Sequence, residues 1–244
     1  MNLDRVTITG ADDSVKIEEL LMLSKEFPFV EWGILASSSN VGSPRFPSWG
    51  WMYQLRELAA ATEPAMQLSL HLCGSWVRRI LVGDLDQAVR ELVGQHARVQ
   101  LNFHAERNTC KPDEFASALK RLEPCQFIFQ IDGAQGNSHM ESLFLVSDID
   151  AVPLFDISGG AGILPKTWPK PVNMRKSEYL YHGYAGGLGP DNLLEQLPLI
   201  GEAAGTARIW IDMETRVRSA DDQVFDLVKV RRCLEIAKLF VRKS

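Results

Sequence analysis

The chain has 244 residues, 45% hydrophobic and 23% charged, which is ample apolar material for one large core. Its net charge of −5 and pI of about 5.6 argue against broad nucleic-acid binding, which wants a basic surface. No run of about 18 apolar residues occurs, so no membrane partner is expected. The opening MNLDRVTITG lacks the basic region and long apolar stretch of a secretory signal, so a cytoplasmic protein is expected. Cys73, Cys110, Cys125 and Cys233 form no CxxC pair, which points to reduced thiols rather than a zinc-finger-type site.

Along the chain a short apolar run is followed by a longer amphipathic one, again and again. The short runs lie at 5–10, 30–37, 66–74, 97–105, 126–133, 150–160, 178–187 and 207–215. They are rich in Val, Ile, Leu, Phe and Tyr, and most close on Gly, Asp, Ser or His, which reads as strands. The first helical pattern, SVKIEELLMLSKEF, has Ser14 as a candidate cap. The second, SWGWMYQLRELAAA, has Ser48. DLDQAVRELVGQ, KPDEFASALKRLE, NSHMESLFLV, PDNLLEQLPLIGEAAG and FDLVKVRRCLEIAKLF follow later strands, with apolar residues recurring at three and four spacing in most. After Gly162 the run ILPKTWPKPVNM, with Pro165, Pro169 and Pro171, predicts a loop instead of a normal helix.

Strand–helix alternation throughout implies a parallel sheet, and about eight repeats close naturally into a barrel. The fold expected is α/β, a single (β/α)₈ TIM barrel over residues 1–244, with an open doubly wound sheet as the alternative. In such a barrel the strand C-termini surround one shared cavity. Reading those ends gives Thr9 and Asp12, then Arg45, His71, Cys73, Asn102 and His104. The second half adds Gln130, Asp132, Asp156, His182 and Tyr184, and finally Asp212, Glu214 and Arg216. Such a ring suits acid–base chemistry. Two glycine turns are more specific. FDISGGAG (155–162) places an acid before Gly159-Gly160, and YAGGLGPDN (184–192) places Gly186-Gly187 before a helix, with Pro190 near its first turn. Glycines let amides approach a phosphate, and a helix N-terminus favours an anion.

FDISGGAG followed by AGGLGPDN resembles the strand-six and strand-seven motifs of phosphoribosylanthranilate isomerases, barrels of tryptophan biosynthesis. VTITGAD (6–12), Ser43-Pro44-Arg45, the VQL of strand four, IDMETRVR (211–218) and FDLVKVRRCLEIA follow in the family's order, so the resemblance covers most of the chain. It implies an aldose–ketose (Amadori-type) isomerisation of a phosphorylated sugar conjugate, with no cofactor. It gives Asp156 the part of the acid and Arg45 that of an anthranilate ligand, and sets Gly159, Gly160, Gly186 and Gly187 around the phosphate. The family's strand-one Cys base is replaced by Thr9, too weak an acid to serve as a free base. Cys73 is then a candidate base, as are Asp12, His71, His104 and Asp132. Glu214-Thr215-Arg216 replaces the family's Ser-Ser-Gly, leaving Arg216 as an anion partner. Asn102-Phe103 replaces its His-Gly.

Two other readings stay open. One is a non-catalytic or repurposed barrel binding another small anionic ligand. The other is a metal-assisted hydrolase or lyase built on His71, Cys73, His104 and Asp132. Trp49, Trp51, Met52 and Tyr53 line an aromatic pocket, cover the barrel mouth or pack helix against sheet, and Trp168 is a lid residue or a loop anchor. Neither the physiological ligand nor the oligomeric state is legible.

Overall fold

The computed structural model describes residues 1–102, 112–122, 124–131, 149–156, 162–171 and 181–242. Eight parallel strands close into a barrel in sequence order, β1 pairing with β8. They are β1 (Asn2–Thr9), β2 (Val30–Ala36), β3 (Gln67–Cys73), β4 (Arg98–Asn102), β5 (Gln126–Ile131), β6 (Ala151–Phe155), β7 (Tyr181–Tyr184) and β8 (Arg208–Met213). The described helices are α1 (Ile17–Glu26), α2 (Trp49–Ala60), α3 (Ser75–Leu81), α4 (Gln87–Gly94), α5 (Pro112–Lys120), α6 (Leu193–Ala204) and α7 (Leu227–Lys238). None of them is long and apolar enough to cross a membrane. The expected (β/α)₈ barrel is therefore present, and the open sheet is excluded by the β1–β8 pairing.

The main core lies between the strands and the helices. Ile8, Trp32, Leu70, Leu72, Val99, Leu101, Phe127 and Phe129 face outward, where they meet helical residues such as Leu20, Leu55, Val93, Phe115, Leu197 and Leu234. A strand exposes alternate residues to opposite faces. The partners in that alternation point into the barrel, and many are polar: Thr7, Thr9, Glu31, Ser69, His71, Arg98 and Gln100 are all buried. Barrel interiors are usually filled by branched apolar side chains. Here Ile128, Val152, Leu154 and Trp210 form an apolar cluster inside, with Tyr181 and Ala185 packed against it. Nearer the N-terminal end, Glu31 accepts from Arg5 Nη1 (2.7 Å), Thr7 Oγ1 (2.8 Å) and Arg98 Nη1 (2.6 Å), and the Arg98 guanidinium lies 4.5 Å from the centre of the Trp210 ring. A buried charge must be paired to be tolerated, and this carboxylate is matched by two arginines.

Several local readings hold and some change. Ser48 caps α2, its Oγ accepting from Trp51 N. Ser14 does not cap α1. That helix begins after Lys16, while Ser14 Oγ donates to Asp12 Oδ1 and accepts from Phe225 N, tying β1 to the segment before α7. The short α3 is an addition to the pattern read from sequence. Its seven residues start after Gly74, at φ +62°, and are too few to show a helical period. The proline-rich stretch over 162–171 is not helical. Trp168 is buried there and donates to Gln196 Oε1 of α6, so it anchors the loop. Trp51 is buried and donates to Val15 O, whereas Trp49 and Tyr53 are exposed on the outer face of α2. The segment 137–146, read as a helix, lies outside the described residues.

Candidate active site

The C-terminal ends of β4 to β8 enclose a cavity of about 110 Å³. Its wall follows from the period of two. Gln100 and Asn102 on β4, Gln130 on β5, Leu154 on β6 and Asp156 just past it, and Asp212 on β8 and Glu214 just past it line the cavity together. Gly186, Gly187 and Arg216 complete the rim. Of the residues the sequence singled out, Asp156, Gly186, Gly187 and Arg216 thus share one cavity. Gly159, Gly160, His104 and Asp132 lie outside the described residues.

Thr9 is buried at the end of β1 and its Oγ1 donates to Asp212 Oδ1 at 2.8 Å. Glycine on the next strand makes this possible, since a Cβ at Gly33 would overlap the Thr9 hydroxyl. Asp212 is the site's most perturbed carboxyl. It stands at about 8, chiefly through burial, with the charges of Glu214, Glu31 and Asp156 adding to the rise and the Thr9 hydrogen bond opposing it. Below that pH Asp212 is a carboxylic acid with Oδ1 held by Thr9. Asp156 accepts at Oδ2 from Gln130 Nε2 at 3.3 Å.

The turn after β7 is held open by its own geometry. Gly186 and Gly187 have φ of +117° and +63°, values that L side chains resist. A Cβ at Gly187 would sit 2.6 Å from Gly162 O, against the incoming β6 loop. Asn192 braces the far side, its Oδ1 accepting from Gly189 N (3.0 Å) and its Nδ2 donating to Gly187 O (2.8 Å). The amides of Gly186, Gly187 and Leu188 find no acceptor among the described residues. Arg216 is exposed beside them, packed on Gly189, and forms no ion pair among the described residues. Donors of this kind, buried without acceptors beside a cation, favour an anion.

Over β1, β2 and β8 the rim is closed by charge pairs. Arg218, fully buried, bonds Gly10 O, Asp12 Oδ2 (2.8 Å) and Asp222 Oδ1 (2.8 Å). Burial works against ionised Asp12, but hydrogen bonds from Ser14 and the Arg45 amide and the charge of Arg218 outweigh it and hold Asp12 below its usual range. Arg45, at φ +73°, spends its guanidinium on Glu214 Oε1 (2.5 Å) and Asp222 Oδ2 (2.6 Å). In this structure it is paired within the rim. Glu214 stands above its ordinary value because burial outweighs its pairing with Arg45.

The remaining base candidates fare differently. Cys73 accepts from Asn102 Nδ2 at 3.3 Å, and burial pushes its thiol up to about 11, so it is not a thiolate at neutral pH. Burial, with Arg98 and His96 nearby, drives His71 down to about 3, so it is neutral. Asp12 is committed to Arg218. Sequence reading placed Asp212 at a strand end but did not give it a chemical role. Its signal is the Thr9–Asp212 bond, between residues 203 apart that only barrel closure brings together. Among the described residues no three His, Cys, Asp or Glu side chains converge as metal ligands.

No family model matches the chain, and no curated protein sequence does either. Solved structures do. A monomeric form of the dimeric phosphoribosylanthranilate isomerase from Thermotoga maritima superposes with a TM-score of 0.56 at 15% identity, covering 97% of this chain and 99% of that one. The N-(5′-phosphoribosyl)anthranilate isomerase from Pyrococcus furiosus gives 0.55 at 16%, covering 96% and 98%. The phosphoribosylanthranilate isomerase from Thermococcus kodakaraensis gives 0.54 at 17%, covering 97% and 99%. Over nearly its whole length, the chain has the barrel fold of these isomerases.

Proposed function

We propose that this barrel is an acid–base isomerase of a phosphorylated sugar conjugate, working with two carboxyl groups. The observation that carries the reading is Asp212, a carboxylic acid up to about pH 8, in one cavity with Asp156 and the Gly186-Gly187 turn. A catalytic acid serves best with a pKa near the working pH. Asp212 gives its proton to the ring oxygen of the sugar as the C1–O bond breaks and the amine lone pair forms an iminium. Asp156 takes the C2 proton, and the electrons of that C–H bond become the C1–C2 double bond of an enaminol. Loss of the C2 hydroxyl proton and protonation at C1 give the 1-amino-2-ketose, with no net oxidation. This exchanges the part that the family resemblance gives Asp156, because the protonated group at neutral pH is Asp212. Thr9 stands where the family has its base and takes a positioning role, leaving the Asp212 proton to Oδ2. The phosphate is received by the amides of Gly186, Gly187 and Leu188 and by Arg216.

Purified protein, assayed for conversion of an N-phosphoribosyl arylamine to its amino-ketose, is expected to turn over, and Asp212→Asn and Asp156→Asn to lose it. No turnover, with no stabilisation by phosphorylated ligands in thermal unfolding, would sink the reading. One observation favours a second reading. Arg45 is held by Glu214 and Asp222, so an arylamine carboxylate has no claim on it. A barrel repurposed for a different anionic ligand would be stabilised by phosphate without turning over the conjugate.

A further inference from the structure

The floor of the same cavity carries two carboxamides with a shared peculiarity. Gln100 is 3% exposed, and its Nε2 donates to Asn102 Oδ1 at 2.8 Å. Gln130 Nε2 donates to Asp156 Oδ2 at 3.3 Å. With Asn102 giving its own donor to Cys73 Sγ and Asp156 accepting as a carboxylate, each Nε2 faces an oxygen. Each Oε1 is then buried with no hydrogen-bond partner among the described residues. Leu154 lies on the floor with them and offers no polar group. Buried acceptors left unpaired are costly, and both of these belong to residues that line the cavity.

We infer that Gln100 and Gln130 form a hydroxyl-reading subsite, which selects ligands carrying sugar hydroxyls at the end opposite the anion. The inference rests on the proposed anion site for the ligand's other end. Carboxamide oxygens accept and do not donate, so the subsite takes O–H or N–H groups and rejects bare ether, methylene or carboxylate ends. The donors toward the rim, namely the glycine amides and Arg216, take the phosphate. The polarity of the cavity thus orients the ligand with its phosphate toward the rim and its hydroxyls toward the floor, with Asp156 and Asp212 beside the hydroxyl-bearing end of the sugar. A site built to bond a hydroxyl discriminates strongly against the analogue that lacks it, because its own acceptors then stay unpaired.

The test is calorimetric binding of three probes to the full chain: inorganic phosphate, n-propyl phosphate and ribose 5-phosphate. Ribose 5-phosphate is expected to bind about tenfold or more tightly than n-propyl phosphate. Gln100→Leu is expected to remove most of that preference while leaving inorganic phosphate binding unchanged. Gln130→Leu provides a second variant should the first not fold. Equal binding of the two organic phosphates by the unmodified chain, or a preference that survives both substitutions, would overturn the subsite and leave the anion site standing. Failure of all three probes to bind overturns the anion site and the subsite with it.

Discussion

At the rim over β7, three buried amides and an exposed arginine stand without partners among the described residues, whereas over β1, β2 and β8 the charges are already matched to one another. The first region has hydrogen-bonding capacity unspent among the described residues. The second spends its capacity internally, through Arg218–Asp12, Arg218–Asp222, Arg45–Asp222 and Arg45–Glu214. In the proposed reading one barrel end is both rigid and receptive: the paired rim is closed on itself, and the unpaired rim is where a ligand would make its contacts. Asp212 sits at the border, bonded to Thr9 on one side and lining the cavity on the other.

Each side of that contrast can be broken separately. The largest effect is expected at the border. Asp212→Asn should cut turnover by about 10²–10⁴ in steady-state kinetics. It should also flatten the pH dependence of stability. Asp212 has a pKa raised by folding, so the native state binds more protons than the unfolded chain between the ordinary value of 3.8 and about 8. Its contribution is present below that window and is lost as pH rises through it. Denaturant titrations at several pH values should show this loss in the unmodified chain and not in Asp212→Asn.

The paired rim comes next. Arg218→Met removes the partner of a buried carboxylate, Asp12, and should cost roughly 3–5 kcal/mol of unfolding free energy. Phosphate binding by the protein that remains folded should be kept. Were binding lost along with stability, the two rims would not be separable.

On the unpaired side, Gly187→Ala forces a side chain into a left-handed backbone and against Gly162 O. Strain on the order of 1–3 kcal/mol is expected, together with loss of phosphate-dependent stabilisation in thermal unfolding. The smallest effect is at Thr9. Its hydrogen bond lowers Asp212 against the pull of burial, so Thr9→Val should move the alkaline limb of the rate profile upward, by roughly one pH unit or less. A downward shift would contradict the positioning role.

The barrel was legible because the strand pattern is local. In QLSLHLC the leucines face the helices and Ser69 and His71 face inward, and the same alternation recurs in RVQLN. The glycine turn after β7 was legible too, since its backbone demands are written in Gly186-Gly187. The rest depended on contacts between distant strands. Nothing near Arg45 in sequence says that Glu214, 169 residues away, will take its guanidinium. Likewise Thr9 reads as a lost base until closure of β1 on β8 gives it Asp212. Cys73 was an attractive thiol by position, but its reactivity depends on a burial that no local pattern reports.

The central claim is that Asp212 holds a proton at neutral pH inside an anion-binding cavity. The most direct measurement is an NMR titration of ¹³C-labelled aspartate carboxyls, with Asp212→Asn to assign the resonance, in the absence and presence of inorganic phosphate. The account predicts an inflection near pH 8 for Asp212, moved upward by bound phosphate because a second negative charge opposes ionisation. An inflection in the ordinary carboxylate range, untouched by phosphate, would contradict it.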